Sequence, residues 1–137
     1  MSDKTLTFLY VEDDKMSREV MGRMLQGLAS DPERVTIWED SKEFVDKLRK
    51  VDPIPDVVFL DVQIGPIDGF EMLKLIKQEP AYTKTPIIAM TASVTVSEIE
   101  QLRQAGFNGL IAKPVRKRIF PELVEKILSG GDVWYVP

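Results

Sequence analysis

An unbroken apolar run that ends in an aspartate constrains the fold of this chain more than any other feature. Val57, Val58, Phe59 and Leu60 lead directly into Asp61. Such a run is typical of a strand that is buried on both faces of a parallel sheet. Asp61 should therefore lie where a buried strand leaves the core. A carboxylate in that position is costly unless a cation meets it.

Similar runs recur along the chain and alternate with segments of helical periodicity. We predict strands over residues 6–11, 35–38, 57–60, 86–90 and 109–112, each followed by a helix. Helix starts are indicated by Asp14, by Asp68, and by the capping-box pairs Asp40 with Glu43 and Thr95 with Glu98. This alternation predicts an α/β fold with helices on both faces of a doubly wound, five-stranded parallel sheet. We expect the flavodoxin-like strand order 2-1-3-4-5.

The chain has 137 residues, which is close to one ordinary domain. We assign residues 1–128 to this domain and residues 129–137 to a C-terminal tail. Trp134 and Tyr135 either pack back on the domain or lead into a partner contact, and the sequence favours neither interpretation. We interpret the Met residues of the first helix as core rather than as a binding groove.

Composition excludes several classes of function. The net charge of −4 argues against a nucleic-acid partner. No apolar run approaches the ~20 residues of a membrane span, so we expect no membrane partner. Residues 1–4 lack the basic and apolar regions of a signal peptide, and we therefore expect a cytoplasmic protein.

Two residue types are missing, and their absence limits the chemistry. Without Cys, the chain has no thiol nucleophile, disulfide or thiolate metal site. Without His, it lacks the commonest acid-base group and the commonest ligand of transition metals. Any metal should be a hard cation that accepts oxygen ligands.

The polar residues that follow the predicted strands should converge on one site. In a doubly wound sheet, ligands bind outside the carboxyl ends of the strands, where strands one and three lie side by side. The polar residues at these ends are Glu12, Asp13, Asp14, Asp61, Thr91 and Lys113. We predict that they form one oxygen-rich site.

Electrostatics indicates what this site binds. Two carboxylates about 4 Å apart repel by roughly 4 kcal/mol at an effective dielectric constant near 20. Lys113 alone cannot neutralise three acids, so the cluster calls for a divalent cation such as Mg²⁺. A metal, a hydroxyl and a lysine around a carboxylate match the needs of a phosphoryl group. The carboxylate can itself be the acceptor and form an aspartyl phosphate.

The sequence resembles a known family, the CheY-like receiver domain of two-component response regulators, in its single-domain type. The resemblance covers about residues 5–128. Four short motifs carry it, each at the end of a predicted strand: Val11-Glu12-Asp13-Asp14, Leu60-Asp61 followed by Asp68-Gly69, Met90-Thr91-Ala92, and Ala112-Lys113-Pro114. Each motif alone is weak, but four in this order are specific.

The resemblance implies a role for each site residue. Asp61 would be the phosphoacceptor, Thr91 would hydrogen-bond a phosphoryl oxygen, and Lys113 would pair with another. Asp13 and Asp61 would bind Mg²⁺. Glu12 would act on the metal through water, and the backbone carbonyl of Gln63 would be a further ligand. Asp14 is left out of this set because it is expected to cap the first helix.

The resemblance also implies partners. The phosphoryl donor would be a histidine kinase or a histidine phosphotransfer protein, and the output would pass to an unknown downstream protein. The domain would signal by a conformational switch in the face built from the fourth helix, fifth strand and fifth helix, through which it could also form a homodimer. It would be a signalling domain that catalyses only its own phosphorylation and dephosphorylation.

Two positions depart from the family pattern. Ile64-Gly65 stands where receivers usually have Met-Pro, and Leu110 stands where an aromatic switch residue is common. Without that aromatic residue, the switch would rely on Thr91 and its loop.

Other interpretations remain open. The chain could be a receiver domain excised from a hybrid sensor kinase. A Mg²⁺-dependent small-molecule phosphatase is a further alternative, but Gln63 stands where such enzymes have a second acid. A flavin or nucleotide binder is disfavoured because the first turn has no Gly-rich phosphate loop. Arg116, Lys117 and Arg118 are interpreted as a solvated surface.

Overall fold

The computed structural model of the chain describes residues 5–136. Residues 1–4, whose composition speaks against a signal peptide, and residue 137 lie outside this range. The elements follow in the order β1 (Phe8–Val11), α1 (Lys15–Ala29), β2 (Val35–Trp38), α2 (Phe44–Arg49), β3 (Val57–Asp61), α3 (Gly69–Lys77), β4 (Ile87–Thr91), α4 (Val96–Ala105), β5 (Gly109–Ala112), α5 (Phe120–Leu128) and β6 (Val133–Tyr135).

Within the described residues, the strands form one parallel sheet in the order β2-β1-β3-β4-β5-β6. The predicted doubly wound α/β fold and the order 2-1-3-4-5 are confirmed, and β6 is an additional short strand. The residues of β1, β3, β4 and β5 are all buried, as their apolar runs predict. One core layer lies between the sheet and α2, α3 and α4, and the other between the sheet and α1 and α5.

Three of the predicted helix starts are confirmed. The side chain of Asp14 accepts a hydrogen bond from the backbone N–H of Ser17, and Asp68 accepts one from that of Glu71. The Thr95 hydroxyl caps α4. Each cap satisfies a backbone donor that the first helical turn leaves unpaired.

The predicted capping box of Asp40 and Glu43 is wrong. Asp40 accepts a hydrogen bond from the N–H of Lys42 instead, and α2 begins only at Phe44. The reason lies in Ser41, whose hydroxyl donates to the carbonyl of Ile67 at 2.6 Å and accepts from the N–H of the same residue at 2.8 Å. This pairing holds the segment against the loop after β3, so the helix cannot start at Asp40.

The tail packs back on the domain, which decides between the two interpretations of Trp134 and Tyr135. Strand β6 pairs with β5, and Trp134 lies opposite Leu110 in the register. The guanidinium of Arg103 lies 4.2 Å from the centre of the Trp134 ring. The division at residue 128 stays a prediction, but residues 133–135 extend the sheet. An aromatic side chain is therefore placed beside Leu110 from a neighbouring strand.

The interpretation of the first-helix methionines as core needs correction. Met21 is buried, but Met16 is 68% exposed and its neighbour Val20 is 46% exposed. These side chains border a groove of about 390 Å³ between α1 and the segment that follows β5. The apolar face of α1 is wider than the surface that the sheet covers.

Among the helices of residues 5–136, none is both long and apolar enough to cross a membrane.

The contact between β5 and β6 depends on Gly109. A Cβ added at this position would lie 2.5 Å from the carbonyl oxygen of Val133. We expect Gly109→Ala to displace β6 and lower the free energy of unfolding by about 1–3 kcal/mol, as overpacking does elsewhere. Urea denaturation measures the loss. In a Trp38→Phe background, the fluorescence of Trp134 reports the displacement.

The matched control is Gly27→Ala on the exposed side of α1. Nothing lies within 4 Å of a Cβ added there. Because alanine favours a helix over glycine, this variant should gain about 0.5–1 kcal/mol. Equal stability of Gly109→Ala and wild type would contradict the role assigned to Gly109.

Candidate functional site

Three carboxylates meet at the carboxyl ends of β1 and β3. Glu12 and Asp13 follow β1, and Asp61 is the last residue of β3, which pairs directly with β1. One carboxylate oxygen from each lies within 4.8 Å of the others. Glu12 and Asp61 are buried, whereas Asp13 is exposed. The predicted convergence of these residues on one site is therefore observed.

Lys113 is the cation that these carboxylates face. It follows β5, and its backbone N–H donates to the carbonyl of Thr91 at 2.9 Å. Its ammonium nitrogen lies 2.6 Å from Oε1 of Glu12 and 3.6 Å from Oδ2 of Asp61. The lysine is thus shared between two buried acids and lies closer to Glu12.

Thr91 and Gln63 lie at the same edge of the sheet, with contacts of different kinds. Thr91 is buried at the end of β4, and its hydroxyl oxygen accepts a hydrogen bond from the N–H of Ser93 at 3.1 Å. Gln63 contacts Asp61 through its backbone N–H, which donates to Oδ1 at 3.2 Å. The sequence predicted the backbone carbonyl of Gln63 as a metal ligand. The hydrogen bond from its backbone N–H to Asp61 is an additional contact that the sequence did not indicate.

The loop between β3 and α3 is held close to Asp61. The N–H of Gly69 donates to the carbonyl of Val62 at 3.0 Å. A Cβ on Gly69 would lie 2.7 Å from Cα of Val62, so only glycine permits this approach. Ile64 is buried, and the carbonyl of Gly65 accepts from the N–H of Ser41. The Ile64-Gly65 departure is therefore accommodated by packing and by the tether to Ser41.

Tyr10 belongs to the site and was missed in the sequence, where it counted as an apolar residue of the first strand. Its hydroxyl donates to Oε1 of Glu12 at 2.9 Å, while the N–H of Asp14 donates to Oε2 at 3.2 Å. Side chains two residues apart on a strand point to the same face. The spacing of Tyr10 and Glu12 was thus the signal that could have revealed the contact.

The two buried acids have pKa values displaced in opposite directions. Burial, and then the hydrogen bond and charge of Glu12, raise the pKa of Asp61 to about 7. Burial also disfavours the charged form of Glu12, but hydrogen bonds from Asp61 and Lys113 outweigh it and hold the pKa of Glu12 below its usual value. The pair therefore retains one proton under conditions in which ordinary carboxylates have lost theirs.

This donor set fits a divalent cation. The acids offer closely spaced carboxylate oxygens, which hard cations prefer. Burial and the neighbouring Glu12 raise the pKa of Asp61, and a bound cation would favour its charged form. The site is compatible with Mg²⁺.

The sequence of this chain matches a known protein family. The model of the family described as response regulator receiver domain matches residues 8–127. The chain belongs to the response regulator receiver domain family. This is a family of signalling domains rather than of conventional enzymes, and the chain functions as such a receiver domain.

The receiver domain is similar to parts of larger proteins and to small ones. It is 31% identical over 121 residues to the osmosensing histidine protein kinase SLN1 of Saccharomyces cerevisiae. That match covers 85% of this chain, and the chain spans only about a tenth of SLN1. Over 127 residues it is 25% identical to the polar-differentiation response regulator DivK of Brucella ovis, covering 93% of this chain and 99% of DivK.

A solved structure shares the same architecture. It is the receiver domain of sensor histidine kinase PA1611 from Pseudomonas aeruginosa PAO1, with a magnesium ion coordinated in its active site cleft. The two structures agree with a TM-score of 0.78 at 25% identity, over 92% of this chain and 99% of the other.

The raised pKa of Asp61 predicts a stability that depends on pH in metal-free protein. Between the ordinary Asp value of 3.8 and about 7, the folded protein holds a proton on Asp61 that the unfolded chain has lost. This contribution is complete below 3.8 and is lost as the pH rises through about 7. Glu12 acts in the opposite direction, and only below its ordinary value of 4.5.

Asp61→Asn is the control because its amide does not titrate. Urea denaturation in a chelating buffer should show that wild type loses stability relative to Asp61→Asn between about pH 5 and pH 8. A difference that stays constant over this range would rule out the raised pKa.

Proposed function

We propose that Asp61 of this receiver domain accepts a phosphoryl group and that the domain signals through the resulting conformational change. The observation that carries this proposal is the meeting of Asp61 with Glu12, Asp13 and Lys113 at one edge of the sheet. Asp61 lies at a strand end, where a buried carboxylate can still meet an incoming phosphoryl group.

The reaction is an in-line transfer in which Asp61 is the nucleophile. A carboxylate oxygen of Asp61 forms a bond to phosphorus as the bond from phosphorus to the donor's imidazole nitrogen breaks. The electron pair of the broken bond stays with the imidazole. Asp61 must first lose its proton, and the backbone N–H of Gln63 orients the carboxylate through Oδ1.

Two further side chains receive the transferred group. Lys113 lies 3.6 Å from Oδ2 of Asp61, so a small movement brings its ammonium to a phosphoryl oxygen. Thr91 would turn its hydroxyl from its own loop to another phosphoryl oxygen. Both contacts place donors where negative charge develops.

Mg²⁺ is the proposed cofactor. Asp13 and Asp61 would hold it directly, Glu12 through water, and the backbone carbonyl of Gln63 would complete the protein ligands. When bound, the ion neutralises the carboxylates and the charge of the phosphoryl group. The magnesium ion in the active site cleft of the PA1611 receiver domain supports this assignment.

The proposed donor is a phosphohistidine on a histidine kinase or histidine phosphotransfer protein. These 137 residues contain no histidine, so the donor residue lies outside them. Similarity to a histidine kinase and to a response regulator supports such a partner. Whether the domain acts alone or within a hybrid kinase, the chemistry at Asp61 is the same.

We propose that this donor docks on the groove beside α1. Met16 and Val20 expose apolar surface there, and the groove extends to Lys113. The exposed residues Arg116, Lys117 and Arg118 follow close after Lys113. A donor with an apolar ridge and an acidic margin would fit this surface and bring its histidine to Asp61.

The output is proposed to pass through the surface of α4, β5 and α5, as a shift between two populated conformations. A downstream partner or a second copy of the domain would bind there. Because β6 pairs with β5, this surface also includes β6.

Phosphorylation of Asp61 is tested with acetyl phosphate and Mg²⁺. Wild type should gain the mass of one phosphoryl group and respond to beryllofluoride, whereas Asp61→Asn should do neither because it lacks the nucleophile. Intact-protein mass spectrometry measures the labelling. The control is Asp14→Asn, which removes a neighbouring carboxylate charge but keeps an oxygen that can cap α1, and it should label like wild type. Equal labelling of Asp61→Asn and wild type would refute the proposal.

Docking of the phosphoryl donor is tested by placing a negative charge in the groove beside α1. Val20→Asp should slow transfer from a phosphorylated donor protein about tenfold, because it buries a charge at the contact. Labelling by acetyl phosphate should be unchanged. Radiolabel transfer from donor to receiver measures the rate.

Val96→Asp is the matched control, since Val96 is 86% exposed at the start of α4, away from the groove. It should transfer like wild type. If both variants slow transfer equally, the groove is not the docking surface.

A further inference from the structure

Tyr10 places a hydroxyl inside an otherwise apolar strand. Its side chain is 1% exposed, and the other residues of β1, Phe8, Leu9 and Val11, are apolar. The ring packs in the core layer of α1 and α5, and the hydroxyl donates to Oε1 of Glu12 at 2.9 Å. A buried hydroxyl is tolerated only with a partner, so the contact with Glu12 is part of how this strand packs.

Lys113 cannot serve both of its partners at once in the proposed reaction. Its nitrogen lies 2.6 Å from Oε1 of Glu12, but it must move to a phosphoryl oxygen on Asp61. Glu12 is fully buried, and its other oxygen, Oε2, already accepts the N–H of Asp14, so Oε1 depends on Lys113 and Tyr10 for its donors. A buried carboxylate oxygen that loses its partner costs far more than an ordinary hydrogen bond contributes.

We propose that Tyr10 is a positioning residue that keeps Oε1 of Glu12 hydrogen-bonded and so allows Lys113 to change partners. The inference rests on the proposed function, because it concerns the movement of Lys113 toward a group on Asp61. Tyr10 touches neither the phosphoryl group nor the donor. It acts through Glu12, on the same oxygen atom that the lysine leaves.

The variant Tyr10→Phe removes the hydroxyl and keeps the ring. Lys113 then becomes the main side-chain donor to Oε1 of Glu12 and is held there. We expect beryllofluoride, which imitates the phosphoryl group, to bind about tenfold more weakly at saturating Mg²⁺. The affinity for Mg²⁺ alone should stay within about twofold of wild type, because the carboxylates that face the metal are retained.

Tryptophan fluorescence titrations with Mg²⁺, and then with beryllofluoride, measure the two affinities separately. The matched control is Tyr82→Phe. Tyr82 is also buried, and its hydroxyl donates to the carbonyl of Leu48 at 3.0 Å, between α2 and the segment before β4. The Tyr82→Phe variant should lose stability, as Tyr10→Phe does, but it should bind beryllofluoride like wild type. Tyr10→Met, which removes the hydroxyl with a more adaptable side chain, provides a second variant.

The outcomes separate this inference from the proposed function. Selective weakening of beryllofluoride binding in both Tyr10 variants supports it. If they bind like wild type, or lose Mg²⁺ and beryllofluoride affinity in parallel, the inference is overturned while phosphorylation at Asp61 stands. If wild type and Asp61→Asn are both unresponsive to beryllofluoride, the proposed function itself fails.

Discussion

Burial of the neighbouring carboxylates of Glu12 and Asp61 is the constraint on which the site depends. Burial, and then the hydrogen bond and charge of Glu12, raise the pKa of Asp61 to about 7 in spite of Lys113. Below that pH the pair retains a proton. Burying these charged groups costs free energy, which a bound cation would offset. Under the proposed function, Mg²⁺ would supply that positive charge and Lys113 would turn to the phosphoryl group.

The fold supports this cluster by simple means. Parallel strands bring their carboxyl ends to one edge, so residues far apart in sequence meet without long loops. The loop after β3 is drawn in by the close approach of Gly69 to Val62 and by the tether from Ser41. The acids therefore lie at the ends of buried, paired strands, close to the side chain of Lys113.

Most of the fold and of the site could be predicted from the sequence, because periodicity and strand-end residues are local signals. Asp61, Glu12, Asp13 and Lys113 were placed together by topology alone. The failures each depended on a tertiary contact. Asp40 does not cap a helix as predicted, because the neighbouring Ser41 forms a hydrogen bond to the loop after β3. Tyr10 was counted as an apolar residue of β1 because its hydrogen bond to the buried Glu12 is visible only in the structure. Strand β6 has three residues, too few to show a periodic pattern.

Strand β6 also changes how the sheet ends. An edge strand with unpaired backbone groups is a template for pairing with other chains, and β5 would otherwise be such an edge. The three residues of β6 cover it, and the ring of Trp134 lies against Arg103 of α4. The new edge is short and its last two residues are only partly buried. Within the described residues, β6 thus replaces the edge of β5 with a shorter one, which offers other chains less backbone to pair with.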